Sequence, residues 1–335
     1  MPDLAEIDAL PSWLNEIKDE TLLSQLALPG THNSGASFLA LPSVQCQGAN
    51  ISEQLQHGVR FLDFRVSRPL ITLFSSADNL EIVHGKFPVK APSSLKLEEV
   101  LNTVYSFLHN NPSETVVVSI KQEGTGTWEG DDFPNLIWSK YIEPQQDNWY
   151  LENKIPRLSD LRGKAFLFRR FGVHDEELKQ KFGFDASWWQ YNTPNDDRGK
   201  YTVQDWCEVQ KPEDLTQKVQ YIKEQLKRAS EFNATEEAGN EDHAKLFVNF
   251  CSASNFFNPD IWPRSVAEVV SRDIQDLESG CGIVVIDYAE SEDWKLTRQL
   301  VQLNFEKFRK WSADGVPIVK FHVPNNVNEN NNYWI

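Results

Sequence analysis

Short runs of β-branched and aromatic residues recur along the chain. Between them lie longer stretches with apolar residues at helical spacing. The runs that read as strands are LALPG around Ala27, VRFLDFRV from Val59, LEIVHG from Leu80 and TVVVSIK from Thr115. They continue with KAFLFRRF from Lys164, YTVQDW from Tyr201, LFVNFCSAS from Leu246 and GIVVIDYA from Gly282. SLKLEEVLNTVYSFLHNN places Leu97, Val100, Leu101, Val104 and Leu108 on one helical stripe, and DLTQKVQYIKEQLKRASEF does the same with Leu215, Val219, Ile222 and Leu226. SVAEVVSRDIQDLES and WKLTRQLVQLNFEKFRKW read as further helices. Strands alternating with helices predict an α/β fold, either a closed parallel barrel or a doubly wound sheet. The short interval between the Asp63 and His84 runs predicts that a barrel would be irregular and short of at least one helix. No repeat or linker divides the chain, so residues 1–322 read as a single domain, and the asparagine-rich tail 323–335 reads as loosely ordered.

Charge narrows the partners. The 335 residues carry 33 Lys and Arg against 49 Asp and Glu, a net charge of −16. Nucleic-acid binding needs the opposite field, and simple electrostatic docking on an anionic membrane is disfavoured too. A local basic pocket for one phosphate remains compatible with that charge. The longest apolar runs, such as TVVVSI and GIVVI, fall far short of the roughly 20 residues a spanning helix needs, so no transmembrane segment is expected. Cys46, Cys207, Cys251 and Cys281 are widely spaced, without disulfide-framework or zinc-ligand spacing, and read as buried thiols. The acidic opening MPDLAEIDALPSWL lacks a basic n-region followed by an apolar h-region. The expectation for the chain as written is a cytoplasmic monomer, with a mature secreted form as the alternative.

Polar residues cluster at the ends of the predicted strands. His32 follows the first run, His84 closes the third, Lys121 the fourth, Arg170 the fifth, Asp205 the sixth and Asp287 the eighth. Asp63 and Arg65 stand at i and i+2, hence on one face of their strand. Singly, each has a structural explanation: a solvated strand end, an ion pair, a helix cap. At equivalent ends of successive strands, packing explains them poorly, because side chains there line the mouth of a β/α barrel. Two histidines suit paired general acid and base work near neutral pH. Asp287 would orient one imidazole. Arg65, Lys121 and Arg170 suit an anionic substrate, arginine offering a planar fork to phosphate oxygens. Two histidines flanking an arginine fit in-line displacement at phosphorus.

The stretches LPGTHNSGAS, HGVRFLDFRV, IVHGKF and NNPSETVVVSIKQE resemble the catalytic X domain of phosphatidylinositol-specific phospholipase C, in its small, metal-independent bacterial-type branch. The likeness continues through LSDLRGKAFLFRRF, YTVQD, LFVNFCSAS and GIVVIDY, over roughly residues 20–305. It implies a distorted TIM-type barrel that cleaves phosphatidylinositol, with glycosyl-linked anchors as a further substrate class, to diacylglycerol and inositol 1,2-cyclic phosphate. By the same resemblance His32 is the general base, His84 the general acid, Asp287 the partner of the base and Asp63 the carboxylate beside Arg65. Lys121, Arg170 and Asp205 match positions that hold inositol hydroxyls. Calcium-dependent relatives carry a carboxylate where this chain has Arg65, so neither metal nor other cofactor is expected. The implied partner is a phosphatidylinositol-containing membrane surface, met peripherally.

Two positions depart from the family pattern. Asn33 stands where the bacterial-type enzymes carry an aspartate that supports the general acid, and Cys207 where they carry a tyrosine against the inositol ring; Trp206, Trp188, Trp189 or Tyr191 are the candidate substitutes. Trp188, Trp189, Phe256 and Phe257 lie in segments expected at the barrel rim, where aromatics suit a bilayer interface. A related barrel phosphodiesterase acting on another phospholipid would need a magnesium-binding acid cluster, which Arg65 disfavours. A silent head-group-binding module would have no need of two histidines.

Overall fold

The computed structural model describes residues 10–38, 41–69, 76–274 and 277–310, so the tail 323–335 lies outside the described residues. Twelve strands occur among them: β1 Ala27–Thr31, β2 Phe61–Ser67, β3 Glu81–His84, β4 Phe87–Pro88, β5 Val116–Gln122 and β6 Trp149–Tyr150, then β7 Ala165–Arg170, β8 Phe184–Asp185, β9 Thr193–Asp197, β10 Tyr201–Asp205, β11 Leu246–Phe250 and β12 Gly282–Ile286. Parallel ladders join β8, β7, β5, β2, β1, β12, β11 and β10 in that order. The sheet curls into a β/α barrel, and the barrel reading of the pattern holds.

Its staves differ from the expected eight in one place. The LEIVHG run forms β3, which pairs antiparallel with the end of β2 and turns back into β4. It is a hairpin at the barrel mouth. The stave it was expected to supply is β8, two residues long in a stretch without a hydrophobic run. No helix separates β8 from β10; the antiparallel strand β9 takes its place. Among the described residues no ladder joins β8 to β10. That seam is closed by rings instead: Tyr201 meets Phe184 and Phe168 at centroid distances of 5.9 and 6.3 Å.

A period of two sorts every stave into an inner and an outer face. Leu28, Phe61, Val117, Phe166, Phe168, Phe184, Tyr201, Val203, Val248, Phe250, Ile283 and Val285 form one buried cluster that fills the barrel. Their alternates, including Leu62, Phe64, Val116, Val118, Leu167 and Val284, pack with the helices in a second cluster. Leu97–Asn110 and Leu215–Asn233 bury the stripes read from sequence. Gly30 occupies an inner position; a Cβ there would lie 3.0 Å from Cβ of Phe61, so the absent side chain makes room for that ring.

The inner parity continues upward into polar residues. Phe61 is followed at steps of two by Asp63 and Arg65, Val117 by Ser119 and Lys121, and Phe168 by Arg170. Val203 leads likewise to Asp205, and Val285 to Asp287. The same alternation that fills the barrel therefore points its charged set into the C-terminal mouth.

Candidate active site

The mouth encloses a cavity of about 740 Å³ whose walls include His32, Arg65, His84, Lys121, Arg170, Asp205 and Asp287. Residues spread over more than 250 positions of sequence meet because all but His84 end staves of one barrel, and the β3–β4 hairpin at the mouth brings in His84. His32 Nδ1 lies 2.8 Å from Asp287 Oδ1. Its Nε2 lies 3.2 Å from Asn33 Nδ2, so the amide donates to a lone pair and Nδ1 carries the proton shared with Asp287. Burial and the Arg65 cation hold the His32 imidazole well below its ordinary value, while burial pushes the Asp287 carboxyl up. His32 consequently rests neutral.

His84 faces His32 from the β3–β4 hairpin, ring centroids 5.9 Å apart and nearly perpendicular. Its Nδ1 donates to the Val44 carbonyl at 2.8 Å, with the Cys46 thiol 3.6 Å away. Burial lowers its pKa; the bond to Val44 works in the opposite direction. Asn33 sits beside His32, not His84 as its sequence position suggested: it lies on the turn immediately after β1, with φ of 43°, and its side chain folds back onto the neighbouring ring.

The three cations are each tied to a carboxylate. Arg65 Nε donates to Asp63 Oδ2 at 3.1 Å, and Arg170 donates to Asp63 Oδ1 at 2.9 Å. Ser119 donates to the same Oδ1 at 3.2 Å. Burial alone would raise the Asp63 carboxyl, but Arg65, Arg170 and Lys121 outweigh it and keep it ionised. A fixed guanidinium stands where a hard cation would need oxygen ligands, so Asp63 and Arg65 do not make a calcium site.

Glu123 is the residue that sequence reading missed. It accepts from Lys121 at 2.7 Å, from Arg65 at 3.3 Å and from the Gly85 amide at 2.6 Å. Against the cost of burial, Arg65 and Lys121 bring its pKa down to about 2. The signal was present, since Glu123 stands two residues beyond Lys121 on β5 and so on the same face.

The aromatics divide. Trp189 turns into the site: its ring lies 4.1 Å from the Arg170 guanidinium, and its Nε1 donates to Asp205 at 3.1 Å. It is a wall of the cavity, and the rim expectation fails for it. Cys207 and Tyr191 also line the cavity, Tyr191 donating to Glu208 at 2.6 Å. Trp206 packs against Tyr221 instead. Trp188, Phe256 and Phe257 are exposed at the mouth, and Phe87 stacks on Phe256 at 6.0 Å.

Residues 27–171 match the family described as phosphatidylinositol-specific phospholipase C, X domain. A 1-phosphatidylinositol phosphodiesterase of Listeria monocytogenes is 28% identical over 302 residues, covering 84% of this chain and 82% of that protein. Its Staphylococcus aureus namesake is 28% identical over 184 residues, 52% of this chain and 55% of the relative. Among solved structures, a variant of the Staphylococcus aureus phosphatidylinositol-specific phospholipase C superposes with a TM-score of 0.71 at 22% identity, over 90% of this chain and 99% of the other. The Listeria monocytogenes phospholipase gives 0.65 at 24% identity, over 87% and 98%. Residues 27–171 are thus similar to the phosphatidylinositol-specific phospholipase C X domain, and the curated relatives that the chain resembles are bacterial 1-phosphatidylinositol phosphodiesterases.

Proposed function

We propose that the protein cleaves phosphatidylinositol by attack of the inositol 2-hydroxyl on its own phosphodiester. The single observation that carries this reading is the neutral His32–Asp287 pair facing His84 across a cavity that holds Arg65. His32 Nε2 takes the hydroxyl proton, and Asp287 stabilises the charge the imidazole gains. The freed oxygen bonds to phosphorus as the bond from phosphorus to the glycerol oxygen breaks, and a protonated His84 gives that oxygen its proton. Arg65 neutralises charge growing on the non-bridging oxygens; because Asp63 and Glu123 fix it in place, it need not reorganise. Lys121, Arg170, Asp205 and Glu123 present donors and acceptors suited to a ring of hydroxyls, with Cys207, Trp189 and Tyr191 on the cavity wall. The products are diacylglycerol and inositol 1,2-cyclic phosphate, with no metal and no other cofactor taking part.

Phosphorus NMR of the protein with phosphatidylinositol in mixed micelles and excess chelator tests the proposal. A cyclic phosphodiester signal is expected, and His32→Ala should abolish nearly all of it while leaving the circular dichroism spectrum unchanged. Product only with added calcium would overturn the role given to Arg65. No product under either condition would overturn the reaction itself.

A further inference from the structure

Beneath the two histidines lies a group that the proposed reaction does not use. The Cys46 thiol is fully buried, and its sulfur, one ring nitrogen of His32 and a carboxylate oxygen of Asp287 all lie within 4.8 Å of one another. Asp287 is 5% exposed, and its Oδ2 is buried without a hydrogen-bond partner. His32 and Asp287 line the open cavity, which gives an ion a way in.

We propose that His32, Cys46 and Asp287 form a binding site for a thiophilic divalent cation of the zinc class, and that its occupation shuts the active site off. Thiolate, imidazole and carboxylate are the three ligand types zinc accepts, usually in tetrahedral sets with a water in the remaining position. Calcium and magnesium, which require oxygen ligands, do not fit a thiolate–imidazole set. Tetrahedral zinc with bonds of roughly 2.0–2.3 Å sets its ligands about 3.3–3.8 Å from one another, so groups already within 4.8 Å need shift only by about 1 Å. Charge balances: the thiol loses its proton to solvent, and thiolate and carboxylate together neutralise the dication.

Inhibition follows from the tautomer. His32 presents Nδ1 to Asp287, so a metal between those residues binds Nδ1. The proton of Nδ1 must then move to Nε2, where the lone pair needed to deprotonate the inositol hydroxyl disappears. The inhibitory consequence rests on the function proposed above, whereas the binding site does not.

Cobalt(II) serves as a spectroscopic probe of the full chain. The expected result is an intense visible band of tetrahedral cobalt with a sulfur-to-metal charge-transfer band, both lost in Cys46→Ala and in Cys46→Ser and unchanged in Cys207→Ala. Asp287→Asn, which keeps the thiol, should weaken cobalt binding at least tenfold. Absence of the bands, or their persistence in both Cys46 variants, overturns the site. Zinc should inhibit phosphatidylinositol cleavage by the wild type, and Cys46→Ala should turn over normally and tolerate at least tenfold more zinc. Cobalt bands without inhibition would refute the tautomer argument while leaving the site standing. If the protein cleaves no phosphatidylinositol at all, the spectra still decide the site.

Discussion

Each histidine commits Nδ1 to an acceptor, and the commitments differ; the Nε2 of His32 accepts only a long bond from the Asn33 amide, which the substrate hydroxyl would displace. His32 gives Nδ1 to a carboxylate, His84 gives Nδ1 to a backbone carbonyl. The first partner stabilises an imidazolium strongly and the second weakly, which suits a base and an acid respectively. Both rings lie below the ordinary histidine value of 6.5, His32 further than His84. On the proposed roles, the base limb of kcat/KM rises with pH as His32 loses its proton, and the acid limb falls as His84 loses its own. With both limbs below 6.5, the profile should be a bell with its maximum on the acidic side of that value. A maximum above about pH 7, the range of an unshifted histidine, would contradict the assignment. The chemistry of these residues was legible from sequence because type and position agreed: a titratable side chain at an inner position of nearly every stave. The partners of Asn33 and Trp189 were not legible, since a turn and a loop obey no fixed period.

At the level of elements, the barrel floor is held by a clamp. Arg60, at the entry to β2, is fully buried and donates to Glu114 at 2.8 and 2.9 Å. It also donates to the carbonyls of Leu55, Val59, Leu10 and Pro11, while Glu114 accepts from the Leu14 amide. One guanidinium thus ties the N-terminal segment, the helix Ile51–Gln56 and the base of β5 together. Arg60→Met leaves Glu114 charged and unpaired in the interior, a defect worth about 3–5 kcal/mol. Urea denaturation should show a loss of that size, with turnover per folded molecule unchanged because the clamp lies at the opposite end of the barrel from His32. A loss under about 1 kcal/mol, the scale of a surface pair, would mean that the clamp is solvated. Sequence periodicity found most strands and the four longest helices, Leu97–Asn110, Leu215–Asn233, Pro263–Asp273 and Ser291–Phe308, because each presents an apolar face of sufficient length. It misplaced the His84 run and missed β8, because a hairpin strand and a stave share the same alternation, and two residues carry none.

For the whole molecule, no helix among the described residues is long and apolar enough to cross a membrane. With a net charge of −16, docking on an anionic surface would have to draw on apolar contact at the mouth. Phe257 is 91% exposed, Trp188 58%, and Phe256 stacks on Phe87 while meeting Phe257 edge-on. Phe257→Ala with Trp188→Ala should weaken binding to phosphatidylinositol vesicles while leaving cleavage of a soluble substrate intact. Trp189→Ala should do the reverse, because its ring rests on Arg170 inside the cavity. If both variants lose vesicle binding equally, the division between rim and wall drawn here is wrong. The seam between β8 and β10 bears on the same cavity, since Trp189 lies on the loop that crosses it. Seven joins between neighbouring staves are laced by amide hydrogen bonds, but this one is made by three aromatic rings. Contacts driven by burial of apolar surface weaken on cooling. The barrel therefore has a thermal grain: in the cold it loosens first along one line, and that line runs beneath the wall of its own catalytic chamber.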